Sequence, residues 1–272
     1  MRCCRTLIPL FAIALAGCFD VGTTGGDPNP NPNPNPNPMP GAVDGGGSTT
    51  GRVTVGLQAL YTFNEGAGAL VLDQSGNGVD LQIENTANTQ WMTGGGLNVI
   101  SPTIISSPSP ASTMGISCQS SSAITIEAWT RTASVGQTGP ARVLTLSSGN
   151  NSRNFMLGQD NATAVLRLRT TETDDNGTPA TVSDIAAFTG QLSHIAFTWS
   201  GLDDEADVWV DGQIAGSQTL AGNFSTWDTG YTFAIANEIG GDRPWRGELF
   251  LAAVYCRNLS AAEIFQNYSA GF

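Results

Sequence analysis

Three kinds of side chain in this 272-residue sequence stand where they could do chemistry. Glu205, Asp207, Trp209 and Asp211 alternate along "EADVWVD", so on a strand they share one face. Two carboxylates on one face can flank a glycosidic bond, one as acid and the other as nucleophile or base. Asp211 also precedes Gly212, and Asp-Gly is a strong hairpin signal because a type I′ turn needs positive φ at both central residues. Trp91, Trp227, Tyr231 and Trp245 lie beside Gly-, Asn- or Asp-rich turns, where a ring can stack on the apolar face of a sugar or, alternatively, pack into the core. Trp129, Trp199 and Trp209 fall inside strand-like runs and read as core or sheet-face residues. His194, the only histidine, has no neighbouring motif that would make it a zinc ligand or part of a nucleophilic relay. The acidic tips Asp174-Asp175-Asn176-Gly177 and Asp203-Asp204-Glu205 read as solvated turns.

Further chemistry sits at the N-terminus. Arg2 and Arg5 precede an apolar run from Leu7 to Leu15, the layout of a secretory signal. The run is about half the roughly 20 residues a transmembrane helix needs. It ends in Leu15-Ala16-Gly17-Cys18, which resembles the lipobox of bacterial lipoproteins, where cleavage before the cysteine leaves its thiol carrying a diacylglyceryl group. The resemblance implies a signal peptide over residues 1–17 and a membrane anchor at Cys18. Phe19, rather than Asp, follows the cysteine, which leans towards the outer membrane or cell surface.

Composition agrees with export. There is no lysine, and removal of Arg2 and Arg5 leaves nine arginines against 23 acidic residues. Nucleic acid is therefore an unfavourable partner. With Cys3 and Cys4 removed and Cys18 lipidated, Cys118 and Cys256 remain for the folded part, and neither has the spacing of a metal or redox motif. Two cysteines in an oxidising compartment suggest one disulfide, the alternative being two buried free thiols.

The elements that must position these groups begin after a linker. Residues 18–52 carry Asn-Pro pairs from Asp27 to Pro38 and a Gly/Ser/Thr-rich stretch after Pro40, so no core can form there. The Pro-rich part should run as polyproline II, a stalk roughly 40 Å long. Residues 53–272 suit one domain. Runs such as "AITIEAWTRT", "ARVLTLSS", "AVLRLRTT", "LSHIAFTWSG", "ADVWV", "QIAGSQTL" and "ELFLAAVY" recur between turn residues, which implies an all-β sandwich or barrel. In "AITIEAWTRT", Ile124, Ile126, Ala128 and Thr130 face one way and Thr125, Glu127, Trp129 and Arg131 the other. Neither face is wholly polar, so both are expected to be partly covered. Ser260 and Glu263 form a capping box for a single C-terminal helix with Ile264 and Tyr268 on one face.

Four pieces, in order, carry a resemblance to the laminin-G-like, concanavalin A-like jelly-roll family: "YTFNEGAGALVLDQSGNGVDLQI", "AITIEAWTRT", "HIAFTWSGLDDEADVWVDGQIAG" and "IGGDRPWRGELFLAAVYCRNLSAAEIFQNY". The resemblance implies two packed antiparallel sheets and a structural role for His194. It also implies a structural calcium, for which Asp73, Asn77 and Asp80 in the Asp-x-Ser-Gly turn would supply hard oxygen ligands. The acidic positions expected in the last strand are Phe250 and Leu251, which weakens any such site. The family's hydrolase motif is incomplete too, since its second glutamate is absent after Asp207. The expectation is a non-enzymatic, surface-tethered recognition module for carbohydrate or a surface protein. The alternatives are an envelope structural or adhesion component with no small ligand, and a glycoside hydrolase.

Overall fold

The structure, a computed structural model, describes residues 51–272. The signal segment 1–17, Cys18 and the linker up to residue 50 lie outside the described residues. The first strands are β1 (Leu57–Tyr61), β2 (Leu70–Val71), β3 (Leu81–Ile83), β4 (Thr89–Trp91), β5 (Leu97–Val99) and β6 (Ile105–Ser106). Helix α1 (Ser112–Ser121) precedes β7 (Ala123–Thr132), β8 (Ala141–Gly149), β9 (Ser152–Asp160), β10 (Thr163–Leu168) and β11 (Thr181–Val182). Then come β12 (Ser193–Ser200), β13 (Glu205–Val210), β14 (Gln213–Thr219), β15 (Thr232–Ile235), β16 (Gly247–Tyr255) and helix α2 (Ala261–Ala270).

The strands form two antiparallel sheets. The first runs β14-β13-β12-β7-β16-β5-β4, with β1 also pairing β16, and the second runs β11-β10-β9-β8-β15-β6-β3-β2. Between them lies one large apolar cluster, built from alternate residues of each strand: Ile124, Ile126 and Ala128 of β7 meet Leu144, Leu146, Phe155 and Leu157 of β8 and β9. The fold is therefore the expected all-β sandwich. Its central strand β7 is covered on both faces, as its mixed alternation implies.

The second cover comes from the C-terminus. Ser260 accepts from the Glu263 N–H and the Glu263 side chain accepts from the Ser260 N–H, the expected capping box, and α2 lays Ile264 and Tyr268 on the outer face of the first sheet. The Trp129 ring stacks on Tyr268 at 5.6 Å between centroids. A bulge between Leu249 and Leu251 turns both Phe250 and Leu251 towards this outer layer. The β13–β14 hairpin turns at Asp211 and Gly212 with φ of 50° and 76°. At Gly212 a Cβ would also meet the Tyr268 ring at 3.1 Å, a contact the ring must shift to accept, so packing as well as φ favours glycine.

A second helix, α1, departs from the expectation of a single helix. Its sequence, "STMGISCQSS", has no apolar stripe, and its N-cap, Ala111, makes no side-chain cap. Tertiary contacts hold it instead: Met114 and Cys118 enter the inner core, and Cys118 is disulfide-bonded to Cys256, 138 residues later. Closing so long a loop stabilises the fold by about 5 kcal/mol in the chain-entropy account. Strand β9, "SRNFMLGQD", also lies outside the strand-like runs of the sequence, because Arg153, Asn154 and Gln159 interrupt its apolar pattern although all are buried.

Beneath α2 lies a buried ionic network. Arg52 donates to the Glu127 carboxylate and to the Gly271 carbonyl. Glu127 also accepts from His194 Nε2 at 2.9 Å and from Asn267 Nδ2 at 2.9 Å. Asn267 Oδ1 accepts from the Val53 N–H at 2.8 Å. Burial would raise the Glu127 pKa, but the charge of Arg52, with help from His194, outweighs it and holds the carboxyl at about 2 against an ordinary 4.5. Its contribution to stability is thus full above about pH 4.5 and is lost as pH falls towards 2. Replacing Arg52 by alanine should cost about 3–5 kcal/mol, because it strands a buried carboxylate. Thermal melts of both chains from pH 7 to pH 2 should show the gap between them closing over the acidic part of that range; a constant gap would rule out Glu127 as the source.

Candidate functional site

With α2 on the first sheet, the outer faces of the sandwich differ. The first is apolar and covered; the second carries polar side chains and no packed helix among the described residues. Most of the sequence-derived candidates lie on neither outer face of the second sheet nor together. Trp245 is 0 % exposed, and its Nε1 donates to Gln159 Oε1 at 2.9 Å. Trp227 is 4 % exposed, donates to the Arg169 carbonyl at 2.7 Å and stacks on Phe224. Tyr231 is 8 % exposed, with its hydroxyl against Ser152 Oγ at 2.5 Å. These three rings are therefore buried in the inner core and are not displayed to solvent as sugar platforms would be. Only Trp91, on edge strand β4, keeps part of its ring in solvent, with Nε1 bonded to the Gly68 carbonyl at 2.9 Å.

The Asp73 turn is a hydrogen-bond hub. Its Oδ1 accepts from the Leu60 and Ser75 N–H groups at 3.0 and 2.9 Å, and its Oδ2 from Ser75 Oγ and the Val79 N–H at 2.8 and 3.0 Å. Asp80 accepts from the Asp73 N–H at 2.8 Å, and the Asn77 amide donates to the carbonyls of Leu57 and Gln58 at 3.1 and 3.2 Å. Calcium needs free oxygen lone pairs converging on one point. Here protein hydrogens occupy both Asp73 oxygens, and Asn77 turns its donor side inward. No group of three or more His, Cys, Asp or Glu side chains able to hold a metal ion occurs among the described residues. Phe250 and Leu251, at the positions of the expected acids, are buried in the outer apolar layer. This arrangement does not fit a resident cation.

The carboxylates of β13 are also engaged or dispersed. Glu205 is exposed, Asp207 accepts from Ser217 Oγ at 2.5 Å, and Asp211 accepts from the His194 N–H at 2.9 Å in the hairpin turn. Trp209 on the same face is buried and donates to Thr198 Oγ1. His194 is wholly buried beside Glu127, as a structural residue would be.

A different group assembles on the outer face of the second sheet. Thr145 of β8, Met156 of β9 and Arg167 of β10 lie in one cross-strand row, flanked by Arg142 and by the pair Ser147 and Arg153. Met156 is buried yet belongs to neither apolar cluster, as an outward-facing residue covered by other side chains should be. From beyond β15, Glu238 reaches back over this face. It takes a hydrogen bond from Arg142 Nε at 3.0 Å and another from Ser147 Oγ, and lies 3.7 Å from Arg153. Burial, then the charge of Arg142, lower Arg153 to about 10. The other charges that act on it are Glu238, Arg167 and Arg243, of which Glu238 alone is negative. Sequence reasoning missed these arginines. The available signal was that Arg142, Arg153 and Arg167 punctuate consecutive β segments of a chain that contains no lysine.

A family profile described as "Concanavalin A-like lectin/glucanases superfamily" matches residues 106–265, from the end of β6 into α2. The chain belongs to this superfamily. The concanavalin A-like sandwich is similar in fold to a botulinum neurotoxin serotype D/C binding domain, with a TM-score of 0.61 and 10% identity over 80% of this chain and 52% of that one. It is similar also to a Trypanosoma rangeli sialidase in complex with sialic acid, with a TM-score of 0.58 and 17% identity over 80% of this chain and 33% of that one. The chain thus spans about half of the toxin domain and a third of the sialidase, and at these identities the likeness is one of fold. No curated protein matches the chain.

If the Asp73 turn is held by hydrogen bonds alone, a chelator should leave the melting temperature unchanged and no metal should co-purify. Asp73→Ala should destabilise the chain by about 1–3 kcal/mol whether or not calcium is present, since it leaves buried donors unsatisfied. A calcium-dependent rise in melting temperature of the wild-type chain would contradict this.

Proposed function

We propose that the chain is an exported lipoprotein, anchored through Cys18 to the outer membrane or cell surface, whose concanavalin A-like domain is a non-catalytic recognition module for carbohydrate or a surface protein. The observation that carries the reading is membership of a superfamily described by lectins and glucanases, whose profile spans residues 106–265. One outer face of the sandwich is sealed by α2, and on the other the polar and charged side chains of β8 and β9 are buried among one another, with Glu238 between Arg142 and Arg153. Family membership is compatible with binding in general, and neither it nor fold likeness selects a ligand.

The non-catalytic reading draws support from β13. A glycosidase needs two carboxyl groups free to face one bond, whereas Asp207 and Asp211 are tied to Ser217 and the His194 N–H. The anchor reading draws support from the N-terminal sequence, and no helix among the described residues is long and apolar enough to cross a membrane.

Two experiments test these halves separately. Expressed with its signal segment, the full chain should incorporate a labelled acyl chain and fractionate with membranes, and Cys18→Ser should abolish both; unchanged fractionation would remove the anchor from the proposal. On a glycan array the full chain should retain specific glycans without releasing reducing ends from them. Release of reducing ends that Glu205→Gln abolishes would establish a hydrolase instead.

A further inference from the structure

A cavity of about 320 Å³, open to solvent, lies between the turn that follows Asp73 and the start of α1. One wall is the segment from Gly78 to Asp80, and the other is the Pro-rich loop that leads from β6 into α1. Both walls are pinned. The Val79 N–H donates to Asp73 Oδ2 at 3.0 Å, and the Val79 carbonyl accepts from the buried Tyr61 hydroxyl at 2.6 Å. The loop is tied down at both ends: the Ser107 and Ala111 N–H groups donate to the carbonyls of Phe233 and Tyr231, each at 2.9 Å, and Ser112 Oγ donates to the Thr229 carbonyl at 2.7 Å. Pro108 and Pro110 stiffen it further, and both are exposed. A cavity between walls fixed in this way needs little ordering when it is filled.

The polar groups on the two walls are of opposite kinds. Asp80 gives Oδ1 to the Asp73 N–H at 2.8 Å, and its Oδ2 accepts from no group among the described residues. Facing the same cavity, the hydroxyls of Ser109 and Thr113, both exposed, have no hydrogen-bond partner among the described residues. Behind Thr113 the helix end is uncapped. The Ala111 carbonyl takes the Gly115 N–H, but Ala111 has no side chain to accept, and the N–H groups of Ser112, Thr113 and Met114 find no acceptor among the described residues. Val79 and Ala111, both buried, add apolar surface to the lining.

This pairing discriminates by charge. An anion would gain from the helix N-terminus but would share the cavity with Asp80, and a cation would gain from Asp80 but would share it with the positive helix end. An uncharged polyol satisfies both walls, because each hydroxyl donates through its hydrogen and accepts through its lone pairs. The volume is near the lower end of the roughly 300–1,000 Å³ of small-molecule sites, which gives room for one sugar residue and not for a folded protein surface.

We propose that this cavity binds a single uncharged sugar residue at the end of a glycan, with Asp80 accepting from its hydroxyls and with Ser109, Thr113 and the start of α1 donating to them. This rests on the recognition reading above and names its site and ligand class.

The test is calorimetric titration of the full chain with methyl glycosides of neutral hexoses, pentoses, 6-deoxyhexoses and N-acetylhexosamines, beside glucuronate and sialic acid as anions and glucosamine as a cation. At least one neutral glycoside should bind, with a Kd of about a millimolar for so small a ligand, and it should bind better than the charged sugars. Asp80→Asn, which keeps an oxygen for the Asp73 N–H, and Thr113→Val, at an exposed position, should each weaken that binding about fivefold to fiftyfold. Their melting temperatures should match the wild type. Ser109→Trp should block the cavity, whereas Trp91→Ala, outside its lining, should leave binding unchanged. Wild-type affinity in both Asp80→Asn and Thr113→Val, or loss of binding in Trp91→Ala alone, would overturn the site and leave the recognition reading standing. Tighter binding of a charged sugar, lost in the same two variants, would overturn the ligand class. If no glycoside binds, the proposal falls, and the recognition reading falls with it only if the glycan array is silent as well.

Discussion

One buried carboxylate organises the first sheet. Glu127 sits at the middle of β7 and accepts from groups distant in sequence: Arg52 at the entry to the domain, His194 on β12 and Asn267 on α2. Asn267 then holds the Val53 N–H and approaches the Tyr255 hydroxyl. Removing any one donor leaves a buried ion under-satisfied in a low-dielectric layer, so the network constrains geometry more sharply than the apolar contacts around it. Those contacts, Trp129 on Tyr268 and Phe250 against Phe272, then seal the face. The same constraint decides the other side of the sandwich. A helix committed to the first sheet leaves the second sheet to be covered by its own side chains and loops.

Much of this was legible because alternation and caps act locally. "AITIEAWTRT" announced two covered faces, Asp211-Gly212 announced a hairpin, and Ser260 with Glu263 announced α2. The register beside the turn followed, with Val210 opposite Gln213 and Trp209 opposite Ile214, before a bulge at Val208 shifts it by one residue. What stayed hidden is held from a distance. Helix α1 has neither stripe nor cap, and exists where Met114 and the Cys118–Cys256 bridge fix it against the core. Strand β9 reads as polar because its buried Arg153, Asn154 and Gln159 find partners in separate elements: the Asn150 carbonyl in the preceding turn, the Asp228 carbonyl and the Thr132 hydroxyl at the end of β7. No window of its own sequence contains all of those partners.

The candidate site was less legible, for a related reason. Aromatic residues beside turns suggested ligand platforms, yet the ends of a sandwich must be closed as well as its faces. Trp227 and Trp245 belong to the inner core, each spending its indole N–H on a buried acceptor rather than leaving it for a ligand. The Asp73 turn shows the same economy of acceptors: four protein donors complete its carboxylate.

The arginine cluster shows where whole-chain charge misleads. A strongly acidic composition argues correctly against nucleic acid, a ligand that samples potential over a wide surface. It says little about a patch bounded by two loops, because solvent screens exposed charges beyond roughly 10 Å while partly buried groups interact through a medium that screens them less. Acidic residues spread over the exterior therefore do not cancel guanidinium groups clustered above β8, β9 and β10. Their choice as arginine also matters: a guanidinium keeps its proton when desolvated far better than an ammonium would. Even Arg153, lowered to about 10 by burial and by Arg142, remains charged at neutral pH. A lysine at that position would lie closer to neutrality, and Glu238 would then depend on Arg142 alone for opposing charge on this face.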